Sequence, residues 1–366
     1  MSDQGRSHIT RRGFLHIGAA LATAPILGVA SSARAQAKAP TKVLDFETRA
    51  DVAKAEQEGE VIYYGHDSEP GIAVLLEAFR KDFPKIKTNY VRAQTGALYA
   101  KITAERSAGR FGVDVLQLSD ISPSIDFQKK GGWEQYDSPS YSGYKPENQS
   151  SPRGYYGWAG VTFAGIAYNR SKVKPAEAPK TWKDILSPAY KDGISAKLAT
   201  SGMQHAQWYT LRKLYGNDFW QEFAKQRPKG FDSRAQLYDR LAKGDDRVCA
   251  LAEYAGYTLF KEKGAEIDFV APADGLPATP IFIGVVNKAP HPEAAKLFVD
   301  WAMSNRGQKY YQDHPNLYYG SLRNDPPPMP TGVKLADLKL LYPADWDDYA
   351  AQRDVFAKEW NGMLGL

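Results

Sequence analysis

Six short polar runs carry most of the side chains here that could do chemistry: His66-Asp67-Ser68, Gln94-Thr95-Gly96, Ser119-Asp120, Thr200-Ser201-Gly202, Asp232-Ser233 and Glu253-Tyr254. Each run sits just before a stretch of helical periodicity. Its oxygens therefore fall where a helix presents free backbone N–H groups and the positive end of its dipole. Two chemistries suit such a place. The side chains can cap the helix, or they can join the N–H groups in holding an anion. The candidate ligand-binding residues are His66, Asp67, Ser68, Gln94, Thr95, Asp120, Thr200, Ser201, Ser233, Tyr254 and Tyr257. The phenol rings offer a stacking surface for an apolar part of a ligand, and Trp158 and Trp208 are further candidates for the wall of a cleft.

Catalytic chemistry finds less support. A hydrolase needs a nucleophile with its base, or a metal cluster, and the chain has no Gly-x-Ser-x-Gly elbow and no His-Glu-x-x-His. His66, His205, His291 and His314 are scattered. The lone cysteine, Cys249, lies in the apolar run Val248-Cys249-Ala250-Leu251-Ala252, which reads as a buried strand with a core thiol. No catalytic residue is assigned; an exported hydrolase is the disfavoured alternative.

The elements that must position these runs alternate between strand and helix. Val61 to Tyr64 reads as a strand, and after the polar loop Ile72, Leu75, Leu76, Phe79 and Phe83 mark one face of a helix. The unit recurs with Thr88 to Val91 before a helix near 97–108, and again with Val113 to Leu118 before another. Such alternation implies parallel pairing in an α/β sheet. The long apolar run Trp158 to Asn169 breaks the pattern and is long enough to cross between two lobes. Beyond it the α/β pattern resumes, with a capping box at Thr181 to Asp184, a helix from about Gln204 to Tyr215, and one after Ser233 carrying Leu237 and Leu241. Ile281 to Val286 forms a second β-rich return. After Pro292, the residues Ala294, Leu297, Phe298, Trp301 and Ala302 make an i, i+3, i+4, i+7, i+8 stripe. The segment beyond about Asn324 yields no functional reading.

Residues 1–35 read as a cleaved leader. Arg11-Arg12-Gly13-Phe14-Leu15 precedes a weakly apolar stretch from Ile17 to Ala30, and Ala33-Arg34-Ala35 offers small residues for cleavage after Ala35. The order resembles a bacterial twin-arginine signal. The stretch is too short to span a membrane, and no other segment is long enough. Losing the leader lowers the formal charge of +5 by three. What remains is nearly neutral, with no Lys/Arg block to track phosphates, so nucleic acid is not an expected partner. With no cysteine at the cleavage site for a lipid anchor, the expectation is a soluble periplasmic protein without stable membrane insertion.

Several ordered local patterns then carry a family resemblance. They are Phe79-Arg80-Lys81-Asp82-Phe83-Pro84, Gly109-Arg110-Phe111-Gly112-Val113-Asp114-Val115, Ile166-Ala167-Tyr168-Asn169, Thr181-Trp182-Lys183-Asp184-Ile185-Leu186-Ser187-Pro188 and Asn287 to Phe298. Over most of residues 55–325 the chain resembles the solute-binding proteins of bacterial ABC importers, in the ferric-iron-type branch. The resemblance implies an α/β fold of the type II periplasmic-binding-protein kind, two lobes joined by two crossover β-segments. Lobe 1 would comprise 36–160 and 281–366, and lobe 2 would comprise 166–275, with hinges near 160–166 and 275–281. It implies a small-molecule solute captured between the lobes by hinge closure, an inner-membrane ABC permease as partner, and a monomer. A receptor that presents its ligand to a sensor kinase would share this fold.

Ferric-binding relatives use adjacent tyrosines from the second lobe with acidic or His side chains from the first. Aligning Phe260-Lys261-Glu262-Lys263-Gly264 with their helix puts that tyrosine pair at Ala255-Gly256, which cannot coordinate metal. An organic or phosphorylated anion is thus the expected solute, with no cofactor. Ferric iron remains the alternative, through Asp67, Asp120, Tyr254 and Tyr257.

Overall fold

The computed structural model describes residues 39–329 and 331–366; the leader lies outside the described residues. The described residues open with an antiparallel hairpin, β1 (Thr41–Val43) and β2 (Phe46–Thr48), followed by α1 (Val52–Glu58). Three strand–helix units come next: β3 (Glu60–Gly65) with α2 (Glu69–Asp82), β4 (Lys87–Arg92) with α3 (Thr95–Ser107), and β5 (Val115–Leu118) with α4 (Ile121–Lys129). β3 pairs in parallel with β4 on one side and β5 on the other, as the alternating pattern predicts.

β6 (Gly157–Asn169) is thirteen residues long and buried except at Thr162. It is followed by β7 (Ile194–Lys197), α5 (Gly202–Tyr215), α6 (Asp218–Lys225), β8 (Lys229–Phe231), α7 (Arg234–Lys243), β9 (Val248–Glu253), α8 (Tyr254–Glu262) and β10 (Ile267–Val270). The chain ends with β11 (Leu276–Val285), α9 (Pro292–Met303), α10 (Asn305–Asp313), β12 (Leu340–Leu341), α11 (Trp346–Ala351) and α12 (Arg353–Leu364). The main sheet runs β4-β3-β5-β11-β6-β9-β7-β8, with β10 beside β6 and β12 beside β11.

Two parallel groups, β4-β3-β5 and β9-β7-β8, are thus joined through β6 and β11. β6 pairs antiparallel with β11 from Gly157↔Ile283 to Phe163↔Ala278, then changes partner and pairs with β9 from Ala164↔Glu253 to Tyr168↔Val248. β11 in turn pairs with β5 through Phe282 to Val285. The register slips between Gly165 and Ala167 against β9 and between Ile281 and Phe282 against β6. Such slips bend a strand locally.

Apolar faces bury the helices against both groups. Tyr63, Phe79, Phe298 and Trp301 make one aromatic core, with the Phe79 and Phe298 ring centroids 4.9 Å apart. Trp208, Trp220, Phe223, Phe356 and Trp360 make another, built from α5, α6 and α12. The segment after residue 339 is therefore structural. α12 lies on α5 and α6, while α11 touches α4 of the other group. Cys249 is fully buried and desolvation pushes its thiol up to about 12, as befits a core side chain. No helix among the described residues is long and apolar enough to cross a membrane.

Candidate functional site

Parallel strands deliver their loops to one edge of each group, where the following helices begin. In the first group Ser68 caps α2 by accepting the Gly71 N–H at 3.4 Å, and Asp120 caps α4 by accepting the Ser122 N–H at 3.0 Å. Gln94 precedes α3 without a side-chain cap bond. Thr95 joins two loops: its hydroxyl lies 2.9 Å from that of Ser119 and accepts the Ser119 N–H at 3.1 Å. In the second group Ser201 caps α5 through the Gln204 N–H at 3.2 Å, and Ser233 caps α7 through the Gln236 N–H at 3.0 Å. Thr200 donates to Asp232 Oδ1 at 2.9 Å. Helix capping thus accounts for one oxygen on each of Ser68, Asp120, Ser201 and Ser233.

The aromatic candidates are less free than the sequence suggests. Tyr254 stacks on Phe163 with centroids 5.0 Å apart, and Tyr257 packs 5.4 Å from Phe269. Trp208 is fully buried among His205, Phe356 and the Arg212 guanidinium, and Trp158 packs on Phe282, Tyr342 and Trp346. Neither tryptophan is a cleft wall; both are core. Sequence composition reports that an aromatic is present, not which neighbour covers it.

His66 and Asp67 form the most unusual local environment. Asp67 is 4% exposed; Oδ1 accepts the Tyr319 hydroxyl and lies 3.4 Å from His66 Nε2, while its backbone carbonyl accepts from Arg92 Nε at 3.1 Å. Asp67 Oδ2 and His66 Nδ1 are buried without a hydrogen-bond partner. Native proteins rarely leave a carboxylate oxygen so, because its lost hydration is costly. Burial holds the His66 imidazole below its ordinary value despite the pull of Asp67, and Arg92 adds to the depression. Burial, and then the Asp67 charge, hold the Tyr319 phenol well above its ordinary value, so it stays protonated and donates.

The charges of Arg234 and Glu253, from the second group, bear on the Tyr319 phenol after burial and Asp67, Arg234 lowering it and Glu253 raising it. Arg234 Nη1 lies 3.5 Å from Glu253 Oε2, and the Glu253 carbonyl accepts the Tyr238 hydroxyl at 2.7 Å. Arg92, Arg234 and Tyr319 are absent from the sequence-derived candidates. Arg234 directly follows the Asp232-Ser233 cap, which is a usable signal. Tyr319 stands in Leu317-Tyr318-Tyr319-Gly320, an aromatic run in a loop, with nothing local to point at Asp67.

Oxygen donors and helix N-termini are suited to anions and hydroxyl groups. Among the described residues no three His, Cys, Asp or Glu side chains converge as a metal cluster would require. At Gly256 a Cβ would lie 2.2 Å from the Tyr238 ring, so no tyrosine fits that position without displacing the core.

Two parallel strand groups, each delivering loops to capped helix N-termini and joined through β6 and β11, give the chain the α/β fold of the two-lobed periplasmic binding proteins. Residues 124–339 match the family of bacterial extracellular solute-binding proteins, and the chain belongs to that family. It is 25% identical over 303 residues to an uncharacterized protein of Haemophilus influenzae, covering 78% of this chain and 86% of that one. It is similar to the periplasmic binding protein AfuA from Actinobacillus pleuropneumoniae, solved with exogenous fructose-6-phosphate bound, with a TM-score of 0.70 and 23% identity over 84% of this chain and 99% of that one. It is also similar to iron-bound HitA from Pseudomonas aeruginosa, with a TM-score of 0.70 and 20% identity over 81% and 99% of the two chains.

Proposed function

We propose that this protein captures an organic or phosphorylated anion between its two strand groups and delivers it to an inner-membrane ABC permease. The observation that carries this reading is the buried Asp67, whose Oδ1 accepts the Tyr319 hydroxyl while its Oδ2 and the neighbouring His66 Nδ1 have no partner. Helix N-termini and Arg234 would take the anionic group, and the bare Asp67 Oδ2 would accept from a hydroxyl. The fructose-6-phosphate held by AfuA, an anion that also carries hydroxyls, supports the same combination. The register slips in β6 and β11 support hinges near 160–166 and 275–281, with residues 36–160 and 281–366 on one lobe and 166–275 on the other. In that division α11 and α12 straddle both lobes, since they rest on α4, α5 and α6. Solute contacts from both sides would favour the closed form. The protein works as a binding protein and not an enzyme, as a monomer, in the periplasm, after a twin-arginine leader is cleaved near Ala35.

Ferric iron is the second reading, favoured by HitA's bound iron and by the oxygen donors around Asp67. Against it, Ala255 and Gly256 stand where the resemblance puts the tyrosine pair, and a Cβ at Gly256 would lie 2.2 Å from the Tyr238 ring. A thermal-shift screen of the mature protein separates the two. Sugar phosphates, phosphonates or carboxylates should raise the midpoint. If only ferric chelates do so, with a visible tyrosinate-to-iron band, the anion reading fails.

A further inference from the structure

The tail beyond residue 339 lies outside the part of the chain that matches the family, yet its donors converge on one segment of the candidate site. Trp360 Nε1 donates to the Lys197 carbonyl at 2.8 Å. Arg353 Nη2 donates to the carbonyls of Ala199 at 3.2 Å and Thr200 at 3.3 Å. The Tyr349 hydroxyl lies 3.4 Å from the Gly202 carbonyl. Four carbonyls between residues 197 and 202 are thus held by three side chains from more than 140 residues away. This segment joins the end of β7 to the start of α5. A planar peptide points its N–H opposite to its carbonyl. Holding the Gly202 carbonyl toward the tail therefore turns the Met203 N–H, in the first turn of α5, away from it, while Ser201 Oγ takes the Gln204 N–H. The tail is itself anchored: Trp360 is fully buried against Phe223 and Trp220, and Asp348 accepts the Tyr209 hydroxyl at 2.6 Å.

We propose that Arg353 and Tyr349 are positioning residues for solute capture, fixing the carbonyls of residues 199–202 so that the N–H groups beginning α5 are aimed at the anion. The inference rests on the anion reading above for its purpose, but the geometry it asserts needs no ligand. Hydrogen exchange of the whole mature protein therefore tests it first. Arg353→Gln should speed exchange of amides 199–204 by about tenfold or more while β9 and α12 keep their protection. Arg353→Lys, which keeps a donor and the charge, should restore most of it. Loop exchange unchanged in Arg353→Gln, or β9 accelerated equally, would overturn the proposal. Calorimetry with inorganic phosphate and fructose 6-phosphate follows. If the unaltered protein binds neither, a phosphorylated solute is excluded while the exchange result still decides the tail's role. If it binds, Arg353→Gln and Tyr349→Phe should each weaken affinity, the former by about tenfold. Equal affinity in both despite a loosened loop would overturn the positioning role.

Discussion

The imidazole of His205 lies between two rings, its centroid 4.2 Å from that of Tyr349 and 4.9 Å from that of Phe356, with planes within 25° of both. Tyr349 comes from α11 and Phe356 from α12, so a histidine at the start of α5 is sealed by the tail. Its Nε2 is buried without a partner. Burial first, and the nearby Arg353 charge second, lower this histidine from its ordinary 6.5 to about 3. It is held neutral as a packing ring.

A pH dependence follows with a definite sign. The unfolded chain takes up a proton near pH 6.5, whereas the folded protein resists until about pH 3. The stability linked to His205 is therefore full above pH 6.5 and is lost as pH falls toward 3, by up to about 1.4 kcal/mol per pH unit. Denaturant titrations between pH 4 and 7 should show a shallower slope in His205→Gln than in the unaltered protein. Parallel curves would mean that the imidazole is hydrated and not sealed.

Asp300 on α9 is expected to act in the opposite direction. Its Oδ2 accepts from the Thr48 and Tyr136 hydroxyls, each at 2.5 Å, while Oδ1 is buried without a partner. Burial raises the carboxyl from its ordinary 3.8 to about 6. Its contribution is full below pH 3.8 and lost as pH rises through 6, about 3 kcal/mol in all. Because this opposes His205 over the same range, the total curve hides both. Asp300→Asn, compared with the unaltered protein, should reveal the slope as a difference that grows toward pH 7. A difference independent of pH would remove the assignment.

Local rules account for what the sequence made legible. Ser68, Asp120, Ser201 and Ser233 stand within three residues of the N–H groups they cap, so spacing alone located them and the helices they open. The β–α alternation was visible for the same reason, each unit being contiguous. Partners far apart in sequence were not visible. Tyr319 meets Asp67 across 252 residues and Arg353 meets Thr200 across 153. The tail's aromatics yield no functional reading from the sequence because the surface they cover, on α5 and α6, carries no sign of being covered. Trp208 erred the other way: it stands near the candidate loop in sequence but faces Phe356 inside.

Two glycine substitutions should separate crowding from propensity. At Gly165, where β6 slips register, a Cβ would lie 2.3 Å from the Val270 carbonyl oxygen. Gly165→Ala should cost about 1–3 kcal/mol because backbone must move. Gly362, within α12, has nothing within 4 Å of its Cβ position. There Gly362→Ala should stabilise by about 0.5–1 kcal/mol. Urea midpoints of the two variants on either side of the unaltered protein would bear this out, and two shifts of the same sign would not.

Binding should depend on residues from both strand groups. Asp120→Ala and Ser201→Ala each remove a helix cap, which costs about 1 kcal/mol of stability wherever it occurs. A ligand role adds a loss of affinity that Asp51→Ala, which removes the cap of α1, would not show. Calorimetry with the solute that gives the largest thermal shift should therefore find both variants weakened. Undiminished affinity in both would move the site elsewhere.

The Asp67–Tyr319 contact permits a thermodynamic test without any solute. Tyr319→Phe deletes the hydroxyl that satisfies Asp67 Oδ1 and leaves a 4% exposed carboxylate with neither oxygen accepting a hydroxyl proton. Stranding such a group costs about 1–3 kcal/mol, more than the bond itself contributes. Asp67→Asn instead removes the charge and should cost less. The double variant should then be more stable than the sum of the two single losses implies, by about 0.5–3 kcal/mol, because Tyr319→Phe no longer strands a charge once Asp67 is gone. Strict additivity in urea unfolding would mean that the Asp67 carboxylate is already hydrated in the folded protein. It would then lose its standing as the unsatisfied acceptor awaiting a solute hydroxyl.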